Sequence, residues 1–164
     1  LQVAPALRDT SAYRHDVVDV ARQTMDNHAR LLLPRIKAAY AAKDAARLHA
    51  LSGEWLDNMA LLDRLLASDP GFLLGNWLAP ARAAAGNDAE AAQFEYDQRT
   101  LITIWGDRGG ADRGCLHYIA NRQRSGLVSG LDEPRWRRFF ASLEQARATG
   151  KPPAAIDWYA MEHA

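Results

Sequence analysis

One cysteine, Cys115, stands among the 164 residues. A single thiol excludes an internal disulfide framework and cannot by itself make a zinc site. No stretch approaches the roughly 20 consecutive apolar residues that a membrane span needs. The opening LQVAPALRDT lacks the basic start and long apolar run of a secretory leader. It also lacks an initiator methionine, as expected of a piece of something longer or of a processed product. Neither sign of charge is in excess, because 20 Lys plus Arg balance 20 Asp plus Glu. That balance leaves no global field to steer nucleic acid or an anionic membrane to the chain. Arg135, Arg137 and Arg138 read as a solvated helix face rather than a binding patch.

What is present is helical. The length suits one domain with a substantial core. Residues 1–12 carry little periodicity and read as a lead-in or linker, with the domain occupying 13–164. From Tyr13, the residues Val18, Ala21, Met25, Leu32, Ile36 and Tyr40 keep to helical steps. Pro34 falls inside that pattern and predicts a kink. Asp44 is the expected N-cap of a second helix, whose stripe is Leu48, Leu51, Trp55, Met59, Leu62 and Leu66. Gly53 within it suggests that another backbone approaches there. SDPG (Ser68 to Gly71) ends the helix with turn chemistry. Phe72 to Arg82, FLLGNWLAPAR, is apolar enough to predict burial on most sides, with Gly75 permitting close packing.

Asn87 followed by Glu90 resembles a capping box. It opens a helix expected to run through Ala91, Phe94, Gln98 and Leu101 to Trp105. A glycine-rich loop, Gly106 to Gly114, follows, then a helix over roughly His117 to Ser129. Asp132 is the expected cap of the next helix, with Pro134 in its first turn and Trp136, Phe139, Phe140 and Leu143 facing inward. Gly150, Pro152 and Pro153 close it, and the tail AAIDWYAMEHA suggests a last short helix. The expected architecture is all-α, a single bundle of about six or seven helices.

Catalytic chemistry is sparse. The acidic residues spread over helix faces and offer no carboxylate pair held across a cleft, as glycoside hydrolysis requires. His15 and Asp19 stand one turn apart without the further ligands a metal needs, and read as a hydrogen-bonded surface pair. His28 and His49 have no evident partners. Cys115 and His117 are spaced for neither a metal pair nor a nucleophile with its base, and Cys115 reads as a small hydrophobe. The loop GDRGGADRG lacks the Lys-Ser/Thr ending of a P-loop. The residues therefore describe a helical module without its own catalytic centre, and they imply no cofactor and no metal.

Several stretches carry more. YRHDVVDVARQ (Tyr13 to Gln23), LDRLLASDPGFLLGNWLAPAR (Leu62 to Arg82), RTLITIWG (Arg99 to Gly106), ANRQRSGLV (Ala120 to Val128) and PRWRRFF (Pro134 to Phe140) occur in this order. Together they resemble the C-terminal helical domain of the alpha-N-acetylglucosaminidases. The resemblance implies a retaining glycoside hydrolase that releases terminal alpha-linked N-acetylglucosamine. Its two catalytic glutamates belong to a TIM barrel that this chain does not contain, so the chain alone is expected to be inactive. It would pack on that barrel and help close the substrate pocket. The residue matched to that role is Trp105, whose ring would line the sugar pocket through its apolar face. Arg99 matches the same block and is expected at least equally to tie its helix to a neighbour. The resemblance also implies a secreted, periplasmic or lysosomal setting.

The sequence departs from the family where the pocket is approached. Tyr118 and Ile119 stand where relatives read Asp-Tyr, and Gly130 and Leu131 replace a tyrosine pair. The stretch after Trp105 is longer, and Pro80 sits inside a helix that relatives keep regular. A non-catalytic binding module that uses the 106–114 loop is the alternative reading.

Overall fold

The computed structural model describes residues 5–104, 108–109 and 123–162. Five α-helices lie among them, fewer than the six or seven expected: α1 (Ser11–Ala41), α2 (Ala45–Leu66), α3 (Leu74–Ala83), α4 (Asp88–Thr100) and α5 (Glu133–Thr149). A π-turn, Val128–Asp132, leads into α5, and single 3-10 turns occupy Pro5–Leu7, Pro70–Phe72 and Ala160–Glu162. The all-α expectation is borne out. The expected tail helix is the last of those 3-10 turns. Residues 117–122 of the helix expected over His117 to Ser129 lie outside the described residues, and its part at 123–126 is not helical.

α2 is the central element. Its stripe Leu48, Leu51, Trp55, Met59, Leu62 and Leu66 is buried throughout. On one side it meets Val18, Leu32, Ile36 and Ala39 of α1; on the other it meets Phe140 and Leu143 of α5. Both neighbours run antiparallel to it: Asn58 Nδ2 reaches the carbonyl of Met25 while Glu54 reaches His28, and His49 pairs with Glu144 while Trp55 meets Trp136. Trp55 and Trp136 lie 4.3 Å apart by ring centroid, and Phe140 closes on both. Such aromatic pairs add about 0.5–1.5 kcal/mol each beyond their buried area.

The caps read from sequence are mostly in place. Asp44 accepts from the Arg47 N–H and Asn87 from the Glu90 N–H. Asp69 turns the chain by accepting from the Gly71 N–H at 2.7 Å. Gly150 ends α5 in the left-handed region at φ 69°, where a side chain would be strained.

Other expectations are corrected. α1, in which Pro34 predicts a kink, runs through that residue as one helix, with Leu32 and Ile36 on either side pinned in the core at 0% and 2% exposure. Nothing lies within 4 Å of a side chain added at Gly53 or Gly75, so neither glycine marks a close approach. Phe72, Leu73, Leu74 and Trp77 are half-buried, and in α3 only Leu78 is fully buried, because α3 packs mainly on α4. Asp132 sits in helical backbone and caps nothing. The cap comes from α2: Asp63 accepts from the Gly126 and Ser129 N–H groups at 2.8 and 3.1 Å and from Ser125 Oγ.

The histidines differ too. His15 does not pair with Asp19; its Nδ1 lies 3.2 Å from Asp69, its ring stacks on Phe72 at 4.6 Å, and Asp19 binds Arg22. His28 and His49 each have a carboxylate partner, Glu54 and Glu144, on a different helix. Surface pairs of this kind contribute little individually.

Leu66→Ala empties a fully buried site and should cost about 2–5 kcal/mol, read from the midpoint of urea unfolding. The Asp69 carboxyl is held below its ordinary value chiefly by the hydrogen bond with His15, with the Gly71 N–H adding. Its contribution is therefore present above the ordinary carboxylate range and is lost as pH falls through the depressed value. Asp69→Asn should lower stability near neutrality and flatten the acid limb below about pH 4 in a melting-temperature profile; an unchanged limb would contradict this assignment.

Candidate functional site

The end of α4 and the segment after α5 meet where Arg99 and Thr103, shortly before Trp105 in the chain, bond to Glu162. Trp105 is the one residue that the sequence reading takes as substrate-contacting. Trp105 itself lies outside the described residues, as do Cys115, His117, Tyr118, Ile119 and most of the 106–114 loop. The chain is described up to Ile104, one residue before Trp105.

α4 stops at Thr100 instead of continuing to Trp105. The β-branched residues Thr100, Ile102, Thr103 and Ile104 crowd a helix at χ1. Residues 101–104 instead wind into tighter turns, with the Ile102 N–H bonded to the Arg99 carbonyl and the Thr103 N–H to that of Thr100. Ile102, Thr103 and Ile104 are buried at 3%, 2% and 5% exposure, whereas Leu101 faces out. The backbone entering Trp105 is therefore fixed by burial.

Polar groups hold this turn from behind. Arg99 donates to the carbonyl of Glu162 at 2.9 Å, which bears out its expected role as a tie to a neighbouring segment. Thr103 Oγ1 donates to the Glu162 carboxylate. Arg135 Nη2 donates to the other Glu162 oxygen at 2.8 Å and to the Trp158 carbonyl. Of the three arginines read as a solvated face, Arg137 and Arg138 are exposed but Arg135 is drawn into this cluster. Burial and the Tyr159 hydroxyl push the Tyr96 phenol up to about 12, with the Glu162 charge adding and Arg99 opposing. Tyr96 thus stays neutral at any working pH. Arg108 forks onto Asp157 and lies over the Tyr159 ring at 4.6 Å. The Ala160 N–H, followed by Arg108, keeps the Asp157 carboxyl below its ordinary value.

Two clefts flank the cluster. An apolar one of about 270 Å³ is lined by Arg135, Trp136, Phe139 and the exposed Trp158. The other, of about 330 Å³, is lined by Trp55, Trp136, Asn58, Asp26 and Gln123 among others. Asp26 accepts from Arg22 and from Gln123, a triad that ties α1 to the returning chain. Among the described residues no group of three or more His, Cys, Asp or Glu is placed to hold a metal ion. No described helix is long and apolar enough to cross a membrane.

Sequence reasoning missed Thr103, Arg135 and Glu162 as a unit. Their separations of 27 and 59 residues leave no local signal. The only hint was that the RTLITIWG and PRWRRFF blocks each hold a member.

The family model of the alpha-N-acetylglucosaminidase (NAGLU) C-terminal domain matches residues 1–164. Human alpha-N-acetylglucosaminidase is 39% identical over 153 residues, which is 93% of this chain and 20% of that protein. A family 89 glycoside hydrolase from Clostridium perfringens, in complex with its substrate GlcNAc-alpha-1,4-galactose, matches with a TM-score of 0.88 at 32% identity. That match covers 95% of this chain and 18% of the other. The Clostridium perfringens enzyme in complex with PUGNAc gives a TM-score of 0.88 at 33% identity. The chain thus spans about a fifth of the length of the relatives it matches. Matched by one family model over all of its residues, and sharing both sequence and fold with these enzymes, the chain belongs to the alpha-N-acetylglucosaminidase C-terminal domain family.

Proposed function

We propose that this chain is the accessory C-terminal domain of a retaining glycoside hydrolase that removes terminal alpha-linked N-acetylglucosamine from a glycan. The observation that carries this reading is the family match over residues 1–164, combined with relatives about five times longer. The rest of the polypeptide would supply the TIM barrel and its two glutamates, one as nucleophile and one as acid and base. This domain would pack on that barrel and close one side of the substrate pocket. Such a division of labour accounts for a chain in which carboxylates such as Asp44, Asp63, Asp157 and Glu162 serve caps and ion pairs. Lacking both glutamates, the isolated chain would not hydrolyse the substrate. The compartment would be secreted, periplasmic or lysosomal.

Within that reading Trp105 lines the sugar pocket. Support comes from the residues that precede it in the chain, since the burial of Ile102, Thr103 and Ile104 and the Arg99 tie fix the backbone up to Ile104. An aromatic face offers apolar area at low conformational cost and suits the apolar face of a pyranose ring.

The test is hydrolysis of an aryl alpha-N-acetylglucosaminide by the full-length polypeptide, wild type against Trp105→Ala, with circular dichroism to establish folding. Losing about 1.5–3 kcal/mol of aromatic burial corresponds to a roughly 10- to 150-fold fall in kcat/KM. Unchanged kinetics would reduce Trp105 to scaffold. A wild type without hydrolytic activity would favour a binding module that uses the 106–114 loop.

A further inference from the structure

Glu162 is a carboxylate with a side chain 0% exposed. A buried charge is costly unless it is paired and hydrogen-bonded, and each polar atom that Glu162 contributes has a partner. One carboxylate oxygen takes the Thr103 hydroxyl, the other takes Arg135 at 2.8 Å, and the backbone carbonyl takes Arg99 at 2.9 Å. These donors come from three places: the turn before Trp105, the first turn of α5, and the last turn of α4. The Glu162 N–H is bonded to the Tyr159 carbonyl, which fixes the acceptors in a single 3-10 turn.

A hydrophobic residue could fill this volume, and replacing a buried ion pair by apolar groups is often neutral for stability. What it could not supply is direction. Thr103 Oγ1 also reaches the Arg99 carbonyl, so its hydroxyl is shared between its own helix end and Glu162. The two bonds set its rotamer and with it the path of residues 101–104.

We propose that Glu162 is a positioning residue for the substrate side of the domain. Its carboxylate holds Thr103 within the Leu101–Ile104 turn and its carbonyl holds Arg99 just before that turn, and so they set the backbone path up to Ile104, the residue before Trp105 in the chain. The proposal rests on the reading of Trp105 as a pocket residue.

The experiment is a double-mutant cycle in the full-length polypeptide, assayed on an aryl alpha-N-acetylglucosaminide well below the melting temperature of each variant. Glu162→Ala should lower kcat/KM by roughly 10- to 100-fold, the scale of a small misplacement. The loss should divide between KM and kcat as it does in Trp105→Ala. Glu162→Gln, whose carboxamide oxygen still accepts one of the two donors, should recover part of the activity. In the Trp105→Ala background the same Glu162→Ala change should cost about threefold or less, because coupled residues are not additive. Full additivity overturns the proposal while leaving Trp105 in the pocket. So does a Glu162→Ala enzyme with a lowered melting temperature and unchanged kcat/KM. A Trp105→Ala enzyme with normal kinetics removes the underlying reading as well. Should Glu162→Ala not fold, Thr103→Val deletes one donor with little change of shape. It is expected to show the same coupling to Trp105, and its absence overturns the clamp.

Discussion

Burial of α2 on two faces is the constraint on which the remaining elements depend. A surface helix needs one apolar stripe, but α2 meets α1 along one side and α5 along the other. Its register therefore sets both partners at once. Sliding it by one residue would turn Trp55 away from Trp136 and Leu48 and Leu66 out of the core. Asp63 lies on the same helix and caps the chain where it returns at 125–129. A single element thereby fixes the position of the first helix, the last helix, and the segment that re-enters the scaffold after the least regular part of the sequence.

Local physics made much of this legible in the sequence. The stripe of α2, the caps at Asp44 and Asn87 and the turn at Ser68 to Gly71 depend on residues at most a few positions apart, and the structure places them as read. The ends of elements were less legible where local preferences compete. The run from Thr100 to Ile104 stops α4 early, because β-branched side chains tip a marginal helix end into tighter turns. Asp132 looked like a cap, but helical backbone already leads into α5 from a π-turn. Contacts between distant residues left no local signal. His15 finds Asp69 across 54 positions and Glu162 finds Thr103 across 59.

The family was legible in a different way. Ordered blocks of sequence identified the family, and the tryptophan they single out follows directly on the buried turn at the end of α4. The polar support of that turn was not legible, because its members are common residue types spread over three elements. Its chemistry is nonetheless coherent. A buried carboxylate, a guanidinium and a hydroxyl satisfy one another, and a neutral tyrosine stands beside them.

The bridge at Ser125 bears on how such a domain changes over evolutionary time. Ser125 donates its N–H to the Phe72 carbonyl and accepts from the Leu74 N–H, while Gln123 is held by Asp26. At the other end Ile104 is locked into the core. Both ends of the intervening stretch are thus moored to the helices independently of what lies between them. Lengthening a stretch tethered in this way costs only about 0.6 kcal/mol per doubling. Insertions and substitutions there can accumulate without disturbing the α1–α2–α5 core. The α1–α2–α5 core thus does not depend on the length of the stretch between its two moorings, and sequence variation can be confined to that stretch.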